Sequence, residues 1–360
     1  MSRLCADINK TIGDFRLDVR IESDASRIGI LGASGSGKSM TLRCIAGIED
    51  MDSGHIEVNG KVLYDTAGPG AKVDLKPQER SAGYMFQNYA LFPTMSVLKN
   101  VMCGLGKRTE ENRVKAMDML KRFGMAGYEK RLPGELSGGQ QQRAALARIM
   151  VTEPEVILLD EPFSALDGYL RDRMQTEMKE MLEDYSGQVI MVSHNRDELY
   201  RFSEELLVIR EGSVLRSGPT KELFRDPGRI EVAKLTGCKN FSDAVRVDEH
   251  TINAVQWGIN LKTERNVPEG LRHIGYRAHH FEPVWGERQE NCIKFDLARV
   301  DELPFEKNYY FYPEVTGSGE RRQGDETICW FVQGDKQAMI EKNGLPDYLK
   351  LKEEELLLLE

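Results

Sequence analysis

The sequence predicts an α/β domain built on a largely parallel sheet, followed by a smaller β-rich domain. Three observations carry this. Over the first two-thirds of the 360 residues, short aliphatic runs alternate with longer helical patterns. A glycine-rich loop follows directly on one of the predicted strands. Beyond roughly Thr236 the apolar periodicity falls to two, as in a half-buried strand.

The elements follow in order. Arg27 to Leu31, Val156 to Leu159, Val189 to Ser193 and Leu206 to Ile209 read as strands of the sheet. Val114, Met117 and Leu120 share one helical face, with Gly124 as its stop, and Leu170, Met174, Met178, Met181 and Tyr185 mark a second helix. The pattern breaks near Asp226-Pro227-Gly228. Val255, Trp257, Ile259 and Leu261 then alternate with polar or glycine positions. Further on, the runs Tyr309 to Tyr312 and Ile328 to Val332 flank a Gly-rich polar stretch suited to a hairpin or loop. The terminal LKEEELLLLE reads as a surface strand or a frayed helix end. The expected domains are residues 1–235 and 236–360.

Composition narrows the class. A chain with 40% hydrophobic and 30% charged residues can bury a sizeable core and is neither disordered nor fibrous. Its net charge of −9 argues against a general attraction to nucleic acid or anionic lipid. The longest apolar runs fall far short of the roughly 18 residues of a membrane-spanning helix. The opening MSRLCADINK has charge before any apolar stretch and no small-residue cleavage site, so no secretory signal is read and a cytosolic place is expected. Cys5, Cys44, Cys103, Cys238, Cys292 and Cys329 form no CxxC pair and read as buried thiols.

Gly32 to Ser39 reads GASGSGKS, a match to GxxxxGK[ST] in the required place after a strand. Gly32, Gly35 and Gly37 let the backbone curl so that N–H groups face inward, and the helix opening near Lys38 adds its positive end. Lys38 would reach the β and γ phosphates of a nucleotide, and the Ser39 hydroxyl would take one position on Mg²⁺. Val156 to Glu161 reads VILLDE, a buried strand delivering two carboxylates at its C-terminal end. Beside the phosphate loop, Asp160 would bind the Mg²⁺ shell and Glu161 would polarise an attacking water. Leu136 to Gln140 reads LSGGQ, opening a helix capped by Ser137 with Gly138 and Gly139 in its first turn. One nucleotide does not need two such helix ends in a monomer, so this one is expected to cap the γ-phosphate held by a second copy of the chain.

With FQ at Phe86-Gln87, SALD at Ser164 to Asp167 and SH at Ser193-His194 added in order, residues 1 to 235 resemble the nucleotide-binding subunit of an ATP-binding cassette transporter. The resemblance implies a P-loop NTPase fold with a RecA-like core and a helical subdomain over about 90–155. An OB-like domain of the TOBE/MOP type would follow. It implies ATP and Mg²⁺ as cofactors. The catalytic residues would be Glu161, His194 and Gln87, and the metal site Ser39, Gln87 and Asp160. Nucleotide contacts would come from Gly32, Ala33, Ser34, Gly35, Ser36, Gly37, Lys38, Ser39 and Met40. Ser137, Gly138, Gly139 and Gln140 would serve the opposing copy, and Asp167 would organise the contact between the two sites. Phe15 would either stack on adenine or belong to the core. Met40 stands where the family usually has Thr, so backbone contacts must replace a hydroxyl. Tyr89 to Val97, YALFPTMSV, would be a docking surface for the permease or core of the helical subdomain.

The same resemblance implies an importer. Two copies would work against a separate transmembrane permease at the cytoplasmic face of the membrane, served indirectly by a periplasmic or surface solute-binding protein, with no nucleic-acid partner. The texture of Asn59 to Asp65, Lys76 to Gln87 and Ile274 to Pro283 looks most like molybdate importers of the sulfate, tungstate and molybdate group. Sulfate, polyamine, iron and sugar importers share the layout and are the alternatives, and a non-transport cassette acting on DNA or ribosomes fits less well. Arg277, His279 and His280 would bind an oxyanion or form the solvated face of a strand.

Overall fold

The computed structural model describes residues 3–66, 68, 72–106, 109–164, 166, 168–314 and 327–360. The chain divides into two compact units, Met1–Thr220 and Lys221–Glu360. The boundary lies upstream of the expected one because the helix Ile230–Leu235 shares a core cluster, through Ile230 and Ala233, with Leu357 and Leu359 of the second unit.

In chain order the first unit contains β1 (Leu4–Ile12), β2 (Phe15–Ser23), β3 (Arg27–Leu31), α1 (Lys38–Ala46), β4 (Ser53–Val58), β5 (Lys61–Asp65), β6 (Val73–Asp74) and β7 (Ala82–Met85). It continues with α2 (Val97–Met102), α3 (Glu110–Arg122), α4 (Gly138–Met150), β8 (Val156–Asp160), α5 (Gly168–Met181), β9 (Gln188–Ser193), α6 (Arg196–Phe202), β10 (Glu205–Arg210) and β11 (Ser213–Pro219). The strands form one 11-stranded sheet in the order β6-β5-β4-β1-β2-β11-β10-β3-β9-β8-β7. From β10 to β7 every pairing is parallel, and from β6 to β2 every pairing is antiparallel.

Every residue of β8 and β9 is buried, which is why both read as nearly unbroken apolar runs rather than alternating ones. Leu42 and Ile45 of α1 join Ile30, Leu158 and Ile190 in the core on the sheet. Because β3, β8 and β9 run parallel, Gly32, Glu161 and His194 all leave the sheet at the same edge, where ligands of open parallel sheets bind.

Two helical readings change. In α3, Val114 and Met117 are exposed, and the buried stripe runs through Ala116 and Leu120. Gly124 does end it, at φ 65°. In α5, Met174 and Met178 are buried as expected, but the helix stops at Met181, so Tyr185 lies beyond it and bonds the Pro154 carbonyl.

The second unit holds α7 (Thr220–Arg225) from Lys221 onward, α8 (Ile230–Leu235), β12 (Asn240–Arg246), β13 (Thr251–Ala254), β14 (Ile259–Lys262), β15 (His273–Tyr276), β16 (Glu282–Val284) and β17 (Cys292–Glu302). β18 (Lys307–Pro313), β19 (Ile328–Val332), α9 (Gly334–Asn343), β20 (Tyr348–Lys350) and β21 (Leu357–Leu359) complete it. Two five-stranded sheets, β14-β13-β12-β15-β21 and β16-β20-β17-β18-β19, contribute to one core that includes Tyr276, Phe281, Phe311 and Trp330. The expected alternation from Val255 to Leu261 is not one strand: β13 and β14 pair as a hairpin whose turn leaves Val255 exposed. The terminal leucines are not a surface strand, since Leu357 and Leu359 are buried where β21 pairs with β15. The Gly-rich stretch before Ile328 lies outside the described residues over 315–326. Of the cysteines, Cys44, Cys238 and Cys292 are buried, Cys5 and Cys329 are half-buried, and Cys103 is exposed.

Candidate functional site

The glycine-rich loop spans β3 to α1. Gly37 caps α1 at φ 101°, a region that only glycine enters freely, and an added Cβ would lie 2.6 Å from Leu17 Cδ1. The first helical bond runs from Thr41 N to Gly37 O, which leaves the amides of Lys38, Ser39 and Met40 as the unpaired first turn of a helix. Lys38 is only 5% exposed, and its Nζ donates to the Gly32 and Ala33 carbonyls at 2.9 and 2.8 Å. Burial lowers its pKa, against the opposing charges of Glu161 and Asp160. Ser36 Oγ is buried without a hydrogen-bond partner. Ala33, Ser34 and Gly35 are exposed. The Phe15 ring closes on the loop, its Cζ 3.2 Å from where a Cβ on Gly37 would stand, and it also touches the core. Met40 packs its side chain against the same core.

The carboxylates at the end of β8 are held differently. Asp160 accepts from Ser39 Oγ at 2.6 Å through one oxygen and from Tyr84 Oη at 2.7 Å through the other. Burial, with Asp160 beside it, raises the Tyr84 pKa, so the phenol keeps its proton and donates. Glu161 adopts φ 46°, its N–H donates to Val192 O, and its Oε1 lies 3.1 Å from Nδ1 of the exposed His194. The next carbonyl, of Pro162, accepts from Tyr89 Oη at 3.3 Å and from Gln142 Nε2 at 3.1 Å. Burial pushes the Tyr89 pKa up to about 12.

Gln87 is exposed just beyond β7. Two residues on, Tyr89 and Ala90 adopt φ 60° and 42°, and Arg148 of α4 donates to both of their carbonyls. Tyr89 and Val97 are buried while Phe92, Pro93 and Thr94 are exposed, so this stretch divides between core and surface. At α4, Ser137 Oγ accepts from Gln140 N and Gln140 Oε1 accepts from Ser137 N, a reciprocal cap at the entry of the helix.

The structure thus gathers Phe15, Lys38, Ser39, Asp160, Glu161 and His194 around one loop. Among the described residues no hydrogen bond joins Gln87 or Ser137 to Gln140 to that group. Asp167 lies outside the described residues. Tyr84, Gln142 and Glu198 escaped sequence reasoning, and Tyr89 was read only as part of a docking or core stretch. Tyr84 had one usable signal, a position near the end of the strand beside β8. Glu198 sits behind His194, taking a 2.6 Å bond from Ser193 Oγ. Arg277, His279 and His280 do not converge. Arg277 donates to the Thr236 and Phe224 carbonyls, His279 meets the Phe331 ring edge-on, and His280 Nδ1 stands 2.7 Å from Glu355.

Residues 16–164 match the family model described as ABC transporter. The Fe(3+) ions import ATP-binding protein FbpC of Agrobacterium fabrum is 41% identical over 65% of this chain and 65% of its own length. The spermidine/putrescine import ATP-binding protein PotA of Clostridium novyi is 37% identical over 62% of this chain and 63% of its own. The chain therefore spans just under two-thirds of these relatives. Among solved structures, the dimeric bacterial ABC transporter cassette MJ0796 superposes with a TM-score of 0.51 at 27% identity, covering 60% of this chain and 98% of that one. CbiO1 of Clostridium perfringens, part of the ABC transporter complex cbiONQ, gives 0.54 at 26% identity, covering 65% and 93%. The relatives carry iron and polyamine import in their names, not molybdate. The first unit has the P-loop NTPase fold of these ABC transporter cassettes, and a β-rich unit follows it in the chain.

Proposed function

We propose that this chain is the ATP-hydrolysing subunit of an importer, with ferric iron as the solute. A polyamine is the second reading, favoured by the PotA relative. The observation that carries the ATPase reading is the division of labour at the end of β8: Asp160 faces Ser39, and Glu161 faces His194. The solute rests on the names of the relatives, which support the iron alternative over molybdate.

The residues present fit a magnesium nucleotide. The loop offers unpaired first-turn amides, the orphaned hydroxyl of Ser36 and an ammonium held only by loop carbonyls. Lys38 would move from those carbonyls to phosphate, and Ser39, Asp160 and Gln87 would hold the metal. When bound, the metal and nucleotide supply a charge-neutralised phosphoryl group open to attack by water. Glu161 accepts a proton from that water, and His194 fixes its orientation. Phe15 takes the adenine. The LSGGQ cap and Asp167 serve the second copy, so a homodimer works against a membrane permease from the cytoplasmic face, and a solute-binding protein acts at one remove. The OB-like reading of the β-rich unit makes it a regulator of the pair.

The test is deletion of the chain in its host, followed by uptake of labelled ferric iron, spermidine and molybdate, with wild-type or Glu161→Gln chains restored. Loss of iron uptake rescued only by the wild type supports the reading. Loss confined to spermidine or to molybdate moves the solute and leaves the ATPase. Uptake of all three unchanged overturns iron as the solute and moves it to the sulfate or sugar alternatives.

A further inference from the structure

Glu198 is 6% exposed and lies in α6, the helix that follows His194. A buried carboxylate needs partners, and it has two hydrogen-bond donors and one longer ion pair, to an Arg171 Nε that itself makes no hydrogen bond. Ser193 Oγ donates to Oε2 at 2.6 Å, Asn195 Nδ2 donates to Oε1 at 3.2 Å, and Arg171 Nε of α5 lies 3.8 Å from Oε1. The residues on either side of His194 are thus both tied to one carboxylate. Arg171 also donates through Nη2 to the Leu166 carbonyl at 3.1 Å, gripping the segment between Glu161 and α5.

α5 in turn is fixed to the helix that opens with LSGGQ. Glu177 of α5 lies 2.5 Å from Arg143 of α4, and the buried Met174 and Leu166 lie against the glycines of the motif. A Cβ on Gly139 would stand 2.9 Å from Met174 Sδ, and one on Gly138 would stand 3.2 Å from Leu166 Cδ2.

We infer that the Glu198–Arg171 pair couples the two nucleotide sites of the dimer, by joining His194 at one site to the LSGGQ helix end that the same chain presents to the other. This rests on the proposed ATPase reading. Neither residue touches nucleotide, so both are positioning residues. A shift of His194 as Glu161 engages its water moves the Ser193–Asn195 corner, and Glu198 passes that movement through Arg171 to α5 and on to Gly138 and Gly139. The coupling is measured as an interaction energy between the two residues.

The full chain would be assayed for hydrolysis across ATP concentration, as wild type, Glu198→Gln, Arg171→Gln and the double variant. A fluorescent ATP analogue would report binding to the dilute monomer. With two sites, the wild-type Hill coefficient is expected to approach about 2. Each single variant is expected to fall toward about 1 with monomer affinity changed less than about twofold, and the double variant to be no worse than the poorer single, as for residues acting as a unit. Arg171 is one-third exposed, so its variant carries the test if Glu198→Gln fails to fold. A folded variant that keeps the wild-type Hill coefficient, a wild type that is itself non-cooperative, or cooperativity lost together with monomer affinity overturns the proposal. A wild type without ATP hydrolysis overturns the ATPase reading instead.

Discussion

The hydroxyl of Tyr84 stands 2.7 Å from Oδ2 of Asp160, on the side of the carboxylate away from Ser39. In the proposed magnesium site, where Asp160 would present one oxygen to the cation, a neutral donor on the adjacent strand holds the carboxylate from behind. Tyr84→Phe keeps the ring and removes that hold. Weakening of magnesium-dependent nucleotide binding by about 10- to 100-fold is expected, the usual cost of losing such support. Titrating Mg²⁺ against nucleotide binding measures it, and an unchanged midpoint would show that Ser39 alone suffices.

Glu161→Gln keeps the shape of the side chain and the contact with His194 but cannot take a proton. Turnover is expected to fall roughly 10²- to 10⁴-fold. With ATP bound but not cleaved, the variant is expected to elute as a dimer in gel filtration. Normal hydrolysis would remove Glu161 from the base role.

Gly37→Ala forces a side chain into φ 101° with its Cβ 2.6 Å from Leu17 Cδ1. Strain of about 1 to 3 kcal/mol is expected, along with loss of the loop's curl. Chemical denaturation and nucleotide binding read the two effects separately. A stable variant that still binds nucleotide would mean that the loop can form without a glycine there.

Glu177 gives a pH dependence with a definite sign. Burial opposes its ionisation, but hydrogen bonds and charge from Arg173 and Arg143 outweigh burial and hold its pKa below the ordinary 4.5. The unfolded state therefore binds the proton more readily, so the stabilisation is present above pH 4.5 and is lost as pH falls through the lower folded value. Glu177→Gln is expected to cost about 1 to 2 kcal/mol at neutral pH and little in acid. Urea melts of both proteins across pH test this, and a difference that does not shrink in acid contradicts it.

Much of the candidate site's local geometry was legible because its motifs are local. A loop that needs Gly37, a helix cap at Ser137 and a strand ending in Asp160 each announce themselves within a few residues. What escaped depends on neighbours set by the sheet. Tyr84 reaches Asp160 only because β7 pairs with β8, and Tyr89 meets Gln142 only at the Pro162 carbonyl. In α3, Val114 and Met117 suited a buried face by spacing, yet the packing side passes through Ala116. Four leucines in a row after three glutamates carry no alternation, so nothing local shows that Leu357 and Leu359 face a core.

That last pairing bears on synthesis. β21 completes its sheet by joining β15, with Leu359 opposite His273, and Leu359 is wholly buried. The parallel core of the first unit draws only on residues up to Arg210, so it can close while later residues are still being made. The second unit must wait for residues 357–359 to emerge from the ribosome before its sheet can close, and until then the edge of β15 stays unpaired on that side.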